Sequence, residues 1–141
     1  MDTRFSSAIH TLILIAGAEK PLTSDRIAKS VGTNASYIRR ITGLLKKQGI
    51  IGSRQGAGGF TLLVKPRDLT LYRIYQAIAG TEQVHVFDLH QNPNDECIVG
   101  RHIRPVLTDT FREIEEKAEQ ELKKTTLLDC MLKMKAETDR G

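Results

Sequence analysis

Between Val31 and Ala35 the sequence leaves almost no chain to spare. Before this joint, DRIAKSV (25–31) places Ile27, Ala28 and Val31 at helical spacing. After it, ASYIRRITGLLKKQG (35–49) places Ile38, Ile41, Leu44 and Leu45 on one face. Two amphipathic helices joined by two or three residues bury both apolar faces in one core only by turning sharply. The local signals agree. Ser24 is an N-cap residue type, with Asp25 in the first turn, and Gly32 is a stop. Asn34 suits the second N-cap, and Gly49 ends that helix.

The flanking sequence completes a unit. Upstream, residues 3–18 set Phe5, Ile9, Leu12, Ile13 and Ala16 at helical spacing, and Pro21 stops that helix. Downstream, IIGSR (50–54) and FTLLV (60–64) read as strands joined by the glycine stretch, and Pro66 closes the second. Helix, helix, short turn, helix and hairpin in that order form a winged helix-turn-helix, whose third helix enters the major groove of DNA. Gly56, Gly58 and Gly59 then let the hairpin tip pass close to a phosphate or into the minor groove, with Arg54 supplying charge. A nucleotide-phosphate loop does not fit, because it needs Lys-Ser/Thr after the last glycine and then a helix. Here Gly59 is followed by Phe60 and a strand.

The third helix has a second face. At about 100° per residue, Ser36, Arg39, Arg40, Gly43, Lys46 and Lys47 lie opposite the apolar stripe. Arg39 and Arg40 suit guanine edges or phosphates, unless ion pairs within the chain engage them. Ser36 and Asn34 suit phosphate or base contacts near the helix N-terminus, and Lys46 and Lys47 suit phosphate. Tyr37 falls beside the apolar stripe, and Ser24 joins the candidate DNA contacts from the preceding helix. The charge is lopsided in the same sense. Residues 1–66 hold ten Lys/Arg against three Asp/Glu, and residues 67–141 eleven against fourteen. A basic N-terminal half suits a polyanionic partner.

Three regions are expected: a winged helix-turn-helix over 1–66, a connecting helix and loop over 67–96, and a C-terminal helical region over 97–141. TLYRIYQAIAG (70–80) reads as a helix with Leu71, Ile74, Tyr75 and Ile78 inward. Residues 81–96 are polar and read as a loop. A long helix over about 97–124 steps through Ile103, Val106 or Leu107, Phe111, Ile114, Ala118 and Leu122, with Pro105 predicting a kink or a short preceding turn. Thr126 to Asp129 has capping-box form and opens a short final helix through Cys130. No secretory pattern opens the chain, and AIHTLILIAGA (8–18) is too short to span a bilayer, so a cytoplasmic protein with no membrane partner is expected.

The stretches SDRIAKSVGTNASYIRRITGLLKKQGII, SRQGAGGFTL and LTLYRIYQAI together resemble the Rrf2 family of bacterial winged-helix transcriptional regulators, of the IscR, NsrR and CymR type. HQNPNDECIVG is similar to the YwnA-like branch of that family. The resemblance covers nearly the whole chain. It implies a mainly α fold with a small β-hairpin wing and a long C-terminal dimerisation helix. It also implies a homodimeric DNA-binding regulator, most often a repressor. An enzyme is the rival class and is not expected, since Cys97 and the nearby histidines form no cysteine–histidine arrangement with a supporting motif. The DNA contacts it implies fall on Ser36, Tyr37, Arg39 and Arg40, and on the wing through Arg54, Gln55, Gly56, Gly58 and Gly59.

The signal is less determined. Iron–sulfur members of the family carry three cysteines before the long helix, at roughly five-residue intervals. Here Cys97 matches the last, and the earlier positions are Gln91 and His85, so no cluster or other cofactor is expected. A thiol switch at Cys97 with Cys130 as resolving partner is one reading, and two inert small residues are the other. His85, His90, Cys97 and His102 offer metal donors but lack the tight spacing of a metal site. A small-molecule effector, or an interaction module without DNA binding, are further alternatives. His10, inside an apolar helix, reads as a hydrogen-bonded core or interface residue.

Overall fold

The computed structural model describes residues 2–54 and 58–141. Six α-helices and one two-stranded hairpin follow the expected order: α1 (Arg4–Gly17), α2 (Ser24–Val31), α3 (Ala35–Lys47), β1 (Ile51–Ser53), β2 (Phe60–Leu62), α4 (Leu71–Ala79), α5 (Ile98–Lys124) and α6 (Leu127–Arg140). The strands are antiparallel, with Ile51 opposite Leu62 and Ser53 opposite Phe60.

The helices end where their chemistry directs. Asn34 caps α3 by accepting from the Tyr37 amide at 2.9 Å. Gly32 and Gly80 end α2 and α4 with positive φ, as left-handed stops do. The α2 cap lies one residue earlier than expected. Thr23 has the extended backbone of an N-cap and accepts from the Arg26 amide, whereas Ser24 is already helical. Both residues carry a hydroxyl, so backbone conformation decides between them.

One core spans the chain. Leu12, Ile27, Ile38, Ile41, Leu45, Ile50, Ile51, Leu69, Ile74 and Leu127 are all essentially inaccessible. Leu127 enters because the start of α6 is tied to the start of α4: its amide donates to the Leu69 carbonyl, and the Leu71 amide donates to that of Thr125. The expected capping box opens α6, with Thr126 and Asp129 each accepting the other's amide. The helix then runs 14 residues, well past Cys130. Nothing in MLKMKAETDR stops it, and most of those residues favour helix.

Two further expectations are corrected. The buried stripe of α1 is Ala8, Thr11, Leu12 and Ile15; Phe5, Ile9, Ile13 and Ala16 are only partly covered. Thr11 tolerates the core because its hydroxyl donates to the Ser7 carbonyl at 2.8 Å. Pro105 lies within the continuous α5 rather than after a separate turn. Its missing N–H is tolerated on a helix whose surroundings at Arg104, Pro105 and Val106 are exposed to solvent.

The 81–96 segment has no regular structure but is anchored to both neighbouring helices. The Tyr75 hydroxyl accepts from the His85 amide at 3.0 Å. Phe87 packs on Phe111 with ring centroids 5.0 Å apart. Glu115, 6% exposed, accepts from the amides of Val86 at 2.6 Å and Phe87 at 3.1 Å. Glu119 accepts from Val84. Further on, Arg101 and Arg104 donate to the carbonyls of Asp95 and His90. Gly100 meets the loop so closely that a Cβ there would overlap the Asn94 carbonyl.

Candidate nucleic-acid interface

Burying Ile38, Ile41, Thr42 and Leu45 forces the other side of α3 outward. Ser36, Arg39, Arg40, Gly43, Lys46 and Lys47 are all exposed there. The helix contains no acidic residue. The arginine ion pairs among the described residues belong to Arg4, Arg112 and Arg140, so neither Arg39 nor Arg40 is held by a carboxylate there. The Arg40 guanidinium lies 5.8 Å from the centroid of the half-buried Tyr37 ring, which supports it without neutralising it.

The two lysines differ. Lys46 donates to the Ser53 hydroxyl at 3.2 Å and lies over the Phe60 ring, tying the helix to both strands of the wing. Lys47 makes no such contact among the described residues. A link at the opposite side also supports α3: Arg73 of α4 donates to the Gln48 carbonyl just beyond the helix end. Sequence periodicity does not show this contact, which depends on how α4 crosses α3.

At the wing, the Arg54 amide donates to the Gly59 carbonyl at 3.1 Å, extending the hairpin past β1. Gly58 and Gly59 have φ of +67° and +86°. Gly59 also has a packing role that the sequence does not reveal. A Cβ there would stand 2.7 Å from Pro21 Cβ and 3.0 Å from the Leu22 amide nitrogen. The residue lets the wing close against the chain entering α2. Gln55 and Gly56, also expected at the wing, lie outside the described residues. Ser24 sits in the first turn of α2, half-buried.

The expected sensing residues are well separated from this surface in the chain. Cys97 immediately precedes α5 and is exposed; Cys130 is half-buried in α6, and both are free thiols. The amides of Gly100 and Val99 face the Cys97 sulfur and hold its pKa below the ordinary thiol value, although it makes no strict capping hydrogen bond. His85 bonds Asp88 at 2.7 Å and lies 3.7 Å from Glu115. Its pKa is raised, chiefly by the Asp88 hydrogen bond and less by Glu115. His102 Nδ1 donates to the Ile98 carbonyl, and His10 bonds the Ser30 hydroxyl at 3.0 Å. Among the described residues, no three His, Cys, Asp or Glu side chains come together as a metal site. No described helix is long and apolar enough to cross a membrane.

Comparison with known proteins adds an independent line. A family model described as Rrf2, iron-dependent transcriptional regulator, matches residues 1–133. YwnA of Bacillus subtilis (strain 168), a candidate HTH-type transcriptional regulator, is 40% identical over 131 residues, which cover 93% of this chain and 96% of YwnA. The crystal structure of a candidate DNA-binding protein superposes with a TM-score of 0.72 at 38% identity, covering 91% of this chain and 98% of the other. CymR, the global cysteine regulator of B. subtilis, shares the fold with a TM-score of 0.69 at 21% identity, over 93% of this chain and 95% of CymR. The iron in the family's description finds no fitting donor set here. An iron–sulfur cluster is held by four ligands, mostly thiolates. Of the three loop positions, only Cys97 is a thiol, while Gln91 bonds Leu89 and Arg104, and His85 bonds Asp88.

Proposed function

The chain belongs to the Rrf2 family of winged-helix, DNA-binding transcriptional regulators, which are not enzymes, and from that premise we propose that it is a homodimeric repressor acting in the cytoplasm. The observation that supports DNA docking is the exposed α3 face, which presents two arginines and two lysines with no carboxylate on the same helix. In this reading α3 enters the major groove. Arg39 and Arg40 reach base edges or phosphates, Ser36 and Tyr37 fix the helix N-terminus, and Lys47 follows the backbone. Arg54, Gly58 and Gly59 bring the wing to the adjacent backbone.

The second copy is needed by α5. Ile98 is 73% exposed and Val99 64%, and Val106 and Ile114 also face outward. An apolar ridge of this size on one helix is covered by a second copy of the same ridge in a twofold dimer. Two recognition helices then read two half-sites about one DNA turn apart.

The test is anisotropy titration of duplex DNA from upstream of the protein's own gene. Arg40→Ala weakens specific binding by about 1–3 kcal/mol if the guanidinium makes a bidentate base contact. Equal affinity for the wild type and the variant removes that role. A thiol response has its own support in the exposure and lowered pKa of Cys97. It predicts that a mild thiol oxidant shifts DNA affinity in the wild type and not in Cys97→Ser. The same shift in both proteins excludes Cys97 as the switch.

A further inference from the structure

Arg4 opens α1, ahead of the two helices α2 and α3 that form the turn, yet it borders the recognition surface. A cleft of about 360 Å³ separates the start of α1 from α3. Arg4 forms one side, and Tyr37, Arg39, Arg40 and Gly43 form the other, with Leu44 among the apolar lining. Gly43 contributes to the opening, since even a Cβ there would meet nothing within 4 Å. Three guanidiniums thus surround one cleft.

The Arg4 guanidinium is engaged by a neighbour in the chain. Asp2 accepts from Arg4 Nε at 2.8 Å and approaches Nη2 at 2.7 Å, while its other oxygen accepts the Arg4 amide at 2.9 Å. Both side chains are about half exposed. One carboxylate oxygen thus occupies the Nε and Nη2 donors of the guanidinium, the donors that a phosphate oxygen also accepts from. A surface pair of this kind is weak and exchanges readily.

We propose that Arg4 is a DNA-phosphate contact flanking the recognition helix, and that Asp2 occupies its guanidinium in the free protein and is displaced by a backbone phosphate when DNA binds. The proposal rests on the DNA-binding reading above. The occupant is duplex DNA because the cleft adjoins the outward face of α3, so a helix docked in the major groove brings a backbone strand alongside it. Charge complementarity selects the phosphate rather than a base edge, since Arg4 stands at the border of the recognition face. Asp2 reduces affinity without altering sequence preference.

The experiment is anisotropy titration of the full chain on two duplexes, one from upstream of its gene and one scrambled, across a salt series. Arg4→Ala lowers affinity for both duplexes to the same degree and reduces the slope of log K against log salt by about one. Arg4→Lys retains the slope, which a role confined to helix packing does not require. Asp2→Asn raises affinity for both by about twofold to fivefold at low salt, the equilibrium worth of an exposed pair. An unchanged slope in Arg4→Ala, beside a reduced slope in Lys47→Ala, overturns the Arg4 contact while leaving DNA binding by α3 intact. A loss confined to the specific duplex overturns the phosphate assignment. If the wild type shows no salt-dependent binding to either duplex, the DNA-binding reading fails, and this inference with it.

Discussion

Helices α3 and α5 are both amphipathic, yet they stand in opposite relations to the core. In 13 residues α3 buries Ile38, Ile41, Thr42 and Leu45. In 27 residues α5 buries only Glu115, and several of its large apolar side chains remain in water. A helical apolar stripe therefore states that a partner is required, not where the partner is. For α3 the partner is its own domain, which frees the polar face for a ligand. For α5 the apolar face itself is the one left over, and its buried contact is polar. Glu115 faces the 84–87 segment instead of a hydrophobic core.

That contrast predicts different responses to mutation. The largest effect belongs to the α3 side. Ile38→Ala leaves a cavity in a fully packed site and lowers unfolding free energy by about 2–5 kcal/mol. Val106→Ala on α5, at a side chain 57% exposed, costs little packing within the chain; in the proposed dimer it acts through self-association, seen as a larger dimer dissociation constant by sedimentation equilibrium. Equal stability losses with no change in association break the comparison.

Next is Glu115→Ala. It strips the acceptor from the Val86 and Phe87 amides and costs about 1–3 kcal/mol, the net worth of hydrogen bonds to a charged acceptor, since both residues are exposed enough for water to reach the freed amides. Hydrogen exchange at those two amides accelerates, while amides in α3 stay protected. Unchanged protection at both positions removes the carboxylate's role as an anchor for the segment.

Asn34→Ala removes the α3 cap and destabilises the chain by about 1 kcal/mol in chemical denaturation. The smallest effect is at His85. Its folded pKa lies above the ordinary 6.5, so its contribution is fully present below 6.5 and is lost as pH rises through the folded value. Asp88 and Glu115 are the charges facing it. An NMR titration gives a value above 6.5, and Asp88→Asn lowers it because the principal hydrogen bond is weakened. A value at or below 6.5 in the wild type contradicts that arrangement.

The same contrast explains what was legible in the sequence. The α3 unit was readable because period, cap and stop coincide at Ile38, Asn34 and Gly49. The exposed residues of α3 followed from the buried ones. The stripe on α1 is less sharply legible because apolar residues occupy much of its circumference: Phe5, Ile9, Ile13 and Ala16 pack against the core without being its centre, and Thr11 joins that centre by satisfying its own hydroxyl. Thr23 and Ser24 are chemically equivalent as caps, so only backbone conformation separates them. Pro105 predicts a kink or a short preceding turn, and it lies inside one continuous helix. Glu115 was invisible, because one carboxylate among the many on α5 looks like solvated surface until the loop places two amides against it. Gly59 looked like a glycine chosen for DNA, and it proves also to be one that Pro21 and Leu22 require. Arg4 is not legible in the sequence for a related reason: Tyr37, the first residue of α3 to line the cleft with it, stands 33 positions further along the chain.

The most direct test of the central claim is the salt dependence of duplex DNA binding by the wild type and by the double variant Arg39→Ala, Arg40→Ala. If the outer face of α3 docks on DNA, wild-type affinity falls steeply and linearly on a log–log plot, and the double variant loses both affinity and part of the slope. Identical curves for the two proteins, or a wild type that does not bind duplex DNA at low salt, would contradict it.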